Sequence, residues 1–125
     1  MRRYFRITKN DDFKLIVENG VRFSNSIYNI YSIHNELDHP RFGVSVSKKR
    51  GNAVVRNKIR RQIKSILMAK ISLVSPTLDY VIVVKDGYLG QSFLENEKSL
   101  VQLFEKLNKE LLNGTNFDKR KKANR

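Results

Sequence analysis

The chain has 125 residues, no Cys and a formal net charge of +13 at pH 7. That length suits one domain with a core of its own, and the lack of Cys excludes disulfides and thiolate metal sites. The charge selects a polyanion such as RNA, DNA or an anionic membrane as partner, and the longest apolar run, near Tyr80–Val84, is too short to span a bilayer.

Arg2, Arg3, Arg6 and Lys9 make a basic N-terminal arm without the apolar stretch of a secretory signal, so a cytoplasmic protein is expected. Thr8 or Asn10 can cap a helix beginning near Asp11, whose acids suit the positive helix end. Phe13, Leu15, Ile16 and Val17 supply its apolar side, and Gly20 stops it. Val21–Ser24 and Ser26–Ile33 read as strands, with Tyr28 and Tyr31 pointing to opposite faces.

After a polar turn at Asn35–Pro40, the stretch Arg41–Ser47 alternates, with Phe42, Val44 and Val46 on one face. This pattern predicts a half-buried antiparallel partner for the preceding strand. A long helix follows from about Ala53, with Gly51-Asn52 leading in and Asn52 as cap, and it ends before Ser75-Pro76. The near-continuous apolar run YVIVV within Asp79–Lys85 is that of a central strand. Strand, helix and strand in this order imply a parallel crossover. Ser92 or Asn96 starts a last helix with Leu100, Leu103, Phe104, Leu107 and Leu111 at core spacing, and Asn113-Gly114 ends it. The predicted order is α-β-β-β-α-β-α in one domain over residues 1–113. Residues 114–125 form a basic tail, with Lys119, Arg120, Lys121, Lys122 and Arg125, that reads as disordered.

Between His39 and Leu78 there is no Asp or Glu, yet Arg41, Lys48, Lys49, Arg50, Arg56, Lys58, Arg60, Arg61, Lys64 and Lys70 all lie there. At about 100° per residue, Val55, Ile59, Ile63, Ile66 and Leu67 gather on one side of the long helix. Asn57, Arg60, Arg61 and Lys64 gather on the other, with Arg56 at the border. Like charges at i,i+4, as in Arg56 with Arg60 and Arg60 with Lys64, repel by roughly 0.2–0.5 kcal/mol per pair. An anion lying across the stripe removes that cost. The helix carries no aromatic residue, so a membrane-surface role is disfavoured.

No acid–base set accompanies this binding chemistry. His34 and His39 sit at or beside a turn, Asp11 and Asp12 are explained by a helix start, and Asp79 and Asp86 bracket a strand. Two histidines without Cys cannot supply a catalytic zinc set, and the glycines are isolated rather than gathered in a phosphate loop.

The block SVSKKRGNAVVRNKIRRQIK, with Asn-Asp-Asp-Phe near the N-terminus, resembles the bacterial ribonuclease P protein family and its basic helix. The match runs from Gly43 to Lys64, and the order of elements extends it over Arg3 to roughly Leu112. The resemblance implies an α+β sandwich: one mixed four-stranded sheet, three helices and a left-handed β-α-β crossover through the basic helix. From spacing alone a right-handed crossover is expected. It also implies a protein subunit that binds a catalytic RNA and precursor tRNA and assists removal of the 5′ leader. Catalytic groups, metal sites and cofactors are then not expected on the chain, magnesium is expected on the RNA, and no protein partner is required. The RNA-facing positions map to Lys48, Lys49, Arg56, Asn57, Lys58, Arg60, Arg61 and Lys64. A leader cleft maps to Phe13, Val17 and Tyr31. The alternative is a structural, ribosomal-type RNA-binding protein with no part in cleavage.

Overall fold

Three helices and four strands follow one another in the predicted order in the computed structural model, which describes residues 1–118. They are α1 (Asn10–Asn19), β1 (Val21–Ser24), β2 (Tyr28–His34), β3 (Arg41–Ser45), α2 (Ala53–Ala69), β4 (Leu78–Val84) and α3 (Phe93–Leu112). The strands form one mixed sheet in the order β1-β2-β4-β3.

Strand β4 is central, as its apolar run predicts. Tyr80, Val81 and Ile82 are fully buried, so both faces of the strand are covered. It pairs antiparallel with β2, from Tyr28 opposite Val84 to His34 opposite Leu78, and parallel with β3, from Arg41 opposite Asp79 to Ser45 opposite Val83. Strand β3 therefore does not pair with β2, contrary to the expectation from sequence. A strand apolar on both faces belongs between two neighbours, and β4 takes that place. The half-buried β3 is left at the edge, reached through α2 as a parallel crossover.

The two faces of the sheet are covered unequally. Tyr28, Ile30, Phe42, Tyr80, Ile82 and Val84 meet Ile59, Ile63, Ile66 and Leu67 of α2 and Leu100, Leu103, Phe104 and Leu107 of α3. On the other face, the buried residues Ile7, Ile16, Ile33 and Val81 gather under α1, with Phe13, Val17, Tyr31 and Val83 half-buried around them. Tyr28 and Tyr31 thus fall on opposite faces, as alternation requires.

Helix ends follow local chemistry, with one exception. Asn52 caps α2 by accepting from the Val55 N–H at 3.0 Å. At α3 the cap is Ser92, in a reciprocal capping box with Glu95. Asn96 is instead buried, and its Nδ2 donates to the Tyr88 carbonyl at 3.0 Å. At α1 neither Thr8 nor Asn10 caps: Lys9 holds that position without a side-chain bond, and Asn10 lies inside the helix. Asp11 and Asp12 still sit in the first turn, where the helix end favours negative charge.

Two segments pack beyond the predicted elements. The arm turns at Arg3–Phe5 and then runs parallel to β3, with Arg6 bridged to Phe42 and the Ile7 N–H donating to the Phe42 carbonyl at 2.9 Å. At the other end, Phe117 is buried and stacked on Phe23 at 6.0 Å between ring centres. The packed chain therefore runs past the boundary expected at residue 113, because one aromatic in a polar stretch finds a place on the core. The basic run Lys119–Arg125 lies outside the described residues.

Candidate RNA interface

The basic helix is held at its start by a tight, glycine-dependent turn. Ser47 Oγ accepts from the Lys49 N–H at 3.3 Å, and Gly51 adopts φ 142°, a region L side chains avoid. A β-carbon at Gly51 would also lie 2.9 Å from the Val55 side chain. The turn places Lys48 and Lys49, both exposed, directly before α2.

Along α2, Ile59, Ile63, Ile66 and Leu67 are buried on the side the helical period predicts. Asn57, Lys58 and Arg61 are exposed, and Arg56, Arg60 and Lys64 are half-buried. Arg56 Nε donates to the Gly51 carbonyl at 3.2 Å and so braces the turn. Arg60 Nη1 donates to Asn57 Oδ1 at 2.9 Å, which fixes a guanidinium on the outer face. Among the described residues, no carboxylate pairs with Lys48, Lys49, Arg56, Lys58, Arg60, Arg61 or Lys64.

Two other cations of the acid-free block have partners from outside it. Arg50 is ion-paired with Asp86. Arg41 bonds buried Asp79, with Nε to Oδ1 at 3.1 Å, and lies 3.7 Å from Asp12. The hydrogen bond to Asp79 raises the Arg41 pKa above its ordinary value. Asn35 Nδ2 also donates to Asp79 Oδ1 at 2.8 Å, so the polar turn between β2 and β3 is tied to β4.

The second predicted surface lies on the opposite side of the sheet. Phe13, Val17 and Tyr31 come together in one cluster with Val83. Phe13 rests on Gly43, where a β-carbon would lie 2.4 Å from the ring. Strand pairing puts Arg22 directly opposite Tyr31, and Asn29 and Ser45 each opposite Val83. Directly paired residues share a face, so these side chains border the cluster. Reading the sequence alone missed them. Their signal lies in the register, which no single strand reveals.

The remaining titratable groups serve the core or the surface. Burial pushes the Tyr88 phenol up to about 12 and raises those of Tyr28 and Tyr80 well above the ordinary tyrosine value. The Tyr28 hydroxyl donates to the Asn96 carbonyl at 2.8 Å, and that of Tyr88 to Gln62 Oε1 at 2.7 Å. His34 lies 3.7 Å from Asp118, and His39 faces Tyr4 and Phe5 edge-on. Among the described residues, no group of three or more His, Asp or Glu side chains converges as a metal site would require. The exposed face of α2 does not suit magnesium either, since a hard cation takes oxygen ligands and this face offers ammonium and guanidinium groups.

A mixed sheet with a capped, unneutralised basic helix on one side and a half-open aromatic floor on the other defines an α+β RNA-binding protein. Comparison with known proteins narrows the class. Residues 1–108 match the Ribonuclease P family. The ribonuclease P protein component of Streptococcus pneumoniae (strain Hungary19A-6) is 39% identical over 124 residues, 98% of this chain and 99% of that one. The Staphylococcus aureus RNase P protein superposes with a TM-score of 0.74 at 33% identity, over 91% of this chain and 98% of that one. The RNase P protein from Thermotoga maritima shares the fold, with a TM-score of 0.75 at 24% identity over 81% and 96%. The chain belongs to the ribonuclease P protein family, the protein component of a ribonucleoprotein endoribonuclease that acts in tRNA 5′ maturation.

Proposed function

We propose that the outer face of α2 binds the catalytic RNA subunit and that the floor between α1 and the sheet holds the single-stranded 5′ leader of precursor tRNA. One observation carries this reading: Lys48, Lys49, Arg56, Lys58, Arg60, Arg61 and Lys64 lie on and before a rigid helix with no carboxylate partner among the described residues. Long cationic side chains on such a helix suit folded RNA, recognised by shape and phosphates. Asn57, Arg61 and Lys64 form a ridge at i, i+4 and i+7, so one turn of RNA backbone can meet all three. Half-buried Phe13 and Tyr31, with Val17 beside them, suit a single strand, because stacking needs no particular base.

In this reading the protein positions RNA and carries no catalytic group, and the divalent ions, magnesium foremost, belong to the RNA. The complex works in the cytoplasm; no helix among the described residues is long and apolar enough to cross a membrane. The structural, ribosomal-type alternative gains no support from the family match. The deciding assay is cleavage of precursor tRNA by the chain alone, by the catalytic RNA alone, and by both at low magnesium. Enhancement that requires both supports the proposal. Cleavage by the chain alone, or no enhancement of the RNA, overturns it.

A further inference from the structure

A separate cationic cup lies at the start of β3, where neither α2 nor the Phe13–Tyr31 floor contributes. It is a cavity of about 720 Å³ lined by Arg2, Arg3, Tyr4, Arg6, His39 and Arg41, among others. We propose that this cup is a nucleotide site, in which Tyr4 stacks one unpaired base and Arg2, Arg3 and Arg6 hold the phosphates flanking it. The proposal rests on the RNA-binding reading above but uses none of its residues.

The charge is available to a ligand. Arg41 is committed to Asp79 and Asp12, and this leaves the arm arginines, all exposed. No carboxylate pairs with Arg2, Arg3 or Arg6 among the described residues, although Glu36 and Asp38 lie on the adjoining turn, next to Leu37 and His39 of the cup. Three guanidinium groups gathered without an anion repel one another. Phosphates remove that cost, and guanidinium binds them in a planar, bidentate fashion.

The aromatic surface is both available and held. The Tyr4 ring packs on Phe5 at 4.3 Å between centroids and against the edge of His39 at 4.9 Å, yet Tyr4 remains 50% exposed. The backbone beneath it is fixed by the Arg3–Phe5 turn, the Arg6–Phe42 bridge and the buried Ile7. A ring fixed before binding loses little freedom when a base stacks on it. Guanidinium groups around a fixed, open aromatic face are the combination that binds single-stranded nucleic acid. A double helix offers no base face to such a ring.

The chain contains no Trp, so Tyr4→Trp in the full-length protein introduces a single indole as reporter. A short single-stranded RNA should quench its fluorescence in a saturable way. A ribose-phosphate oligomer of the same length without bases should bind with less quenching, and inorganic phosphate should give none. Tyr4→Ala should weaken the short RNA about tenfold, within the range for a lost stacked base, and Tyr4→Phe should restore binding. Arg3→Gln should lower the slope of log affinity against log salt by about one. In the assembled complex, quenching by leader-bearing precursor but not mature tRNA assigns the nucleotide to the substrate. Quenching on assembly with the catalytic RNA alone assigns it to that subunit.

Indole fluorescence that stays unquenched at saturating RNA overturns the site, and so does unchanged affinity in Tyr4→Ala. Full competition by inorganic phosphate reduces it to a plain anion site and overturns the base-stacking claim. If the Tyr4→Trp chain binds the catalytic RNA normally but its indole stays silent with every RNA, only this site fails. If it binds neither RNA, the broader reading fails with it.

Discussion

The two faces of the sheet differ in how much apolar surface they cover. Against α2 and α3, the face carrying Tyr28, Ile30, Tyr80 and Ile82 is closed, and those four residues are fully buried. Beneath α1, Phe13, Val17, Tyr31 and Val83 stay half-buried around a small sealed centre. A single ten-residue helix cannot cover four strands. One face therefore supplies most of the stability, and the other keeps aromatic surface within reach of a ligand. The cations of α2 lie on the outside of the stabilising layer, so in the proposed reading an interaction surface and a core share one helix.

Alkaline titration should affect the closed face most. Tyr28, Tyr80 and Tyr88 all belong to that core, and burial raises all three pKa values. The folded state then holds these protons more tightly than the unfolded state, so stability is complete below about pH 10 and falls as pH climbs through the folded values. Each tyrosine contributes a slope of about 1.4 kcal/mol per pH unit in that window. Melting curves of the free protein from pH 7 to 12 should be flat and then collapse above about 10, less steeply in Tyr28→Phe. Melting insensitive to pH above 10 would show that the phenols reach solvent.

Large-to-small substitution sharpens the contrast. Ile63→Ala, at a fully buried site, should cost roughly 2–5 kcal/mol in denaturant unfolding. Val17→Ala on the open face should cost about 1 kcal/mol, because its side chain is only partly buried and fewer apolar atoms leave the core. Equal costs would remove the distinction between the faces.

Arg61→Ala removes an exposed cation and relieves like-charge repulsion, so melting should hardly change. A charged hydrogen bond to phosphate contributes roughly 1.5–3 kcal/mol, and affinity for the catalytic RNA should fall about ten- to a hundredfold. Arg61→Lys should recover part of this, since charge returns without the planar fork. An Arg61→Ala protein that melts early while binding RNA normally would mean that Arg61 serves the fold and not the RNA.

On the open face the expected effect falls on one ligand only. Tyr31→Ala and Phe13→Ala should each weaken leader-bearing precursor by roughly 1–3 kcal/mol, the value of a stacked base, and leave mature tRNA nearly unaffected. Phe13→Ala should also lose some stability, because its ring covers Gly43. Equal losses for the two ligands in a well-folded variant would make these residues structural only.

Much of this is legible along the chain because it depends on local period. The apolar and cationic stripes of α2, the Asn52 cap, the opposite aims of Tyr28 and Tyr31 and the centrality of β4 all follow from spacing. Pairing between distant segments is not legible. The alternation of Phe42, Val44 and Val46 identifies a strand but not its neighbour, and chain order alone points to β2 where the sheet has β4. Charge bookkeeping meets the same limit, since Arg41 and Arg50 belong to the acid-free block in sequence but meet Asp79 and Asp86 in space. Phe117 reads as part of a polar tail, and only the open side of Phe23 explains why it packs.

The pairing of the arm with β3 has a consequence of another kind. Strand β3 is an edge, and an edge offers unpaired backbone donors and acceptors to any other chain. The Ile7 amide occupies the Phe42 carbonyl, and the arginines beside it repel a like-charged copy. A chain shortened past Ile7 would present a bare strand, and its first failure would be self-association rather than unfolding.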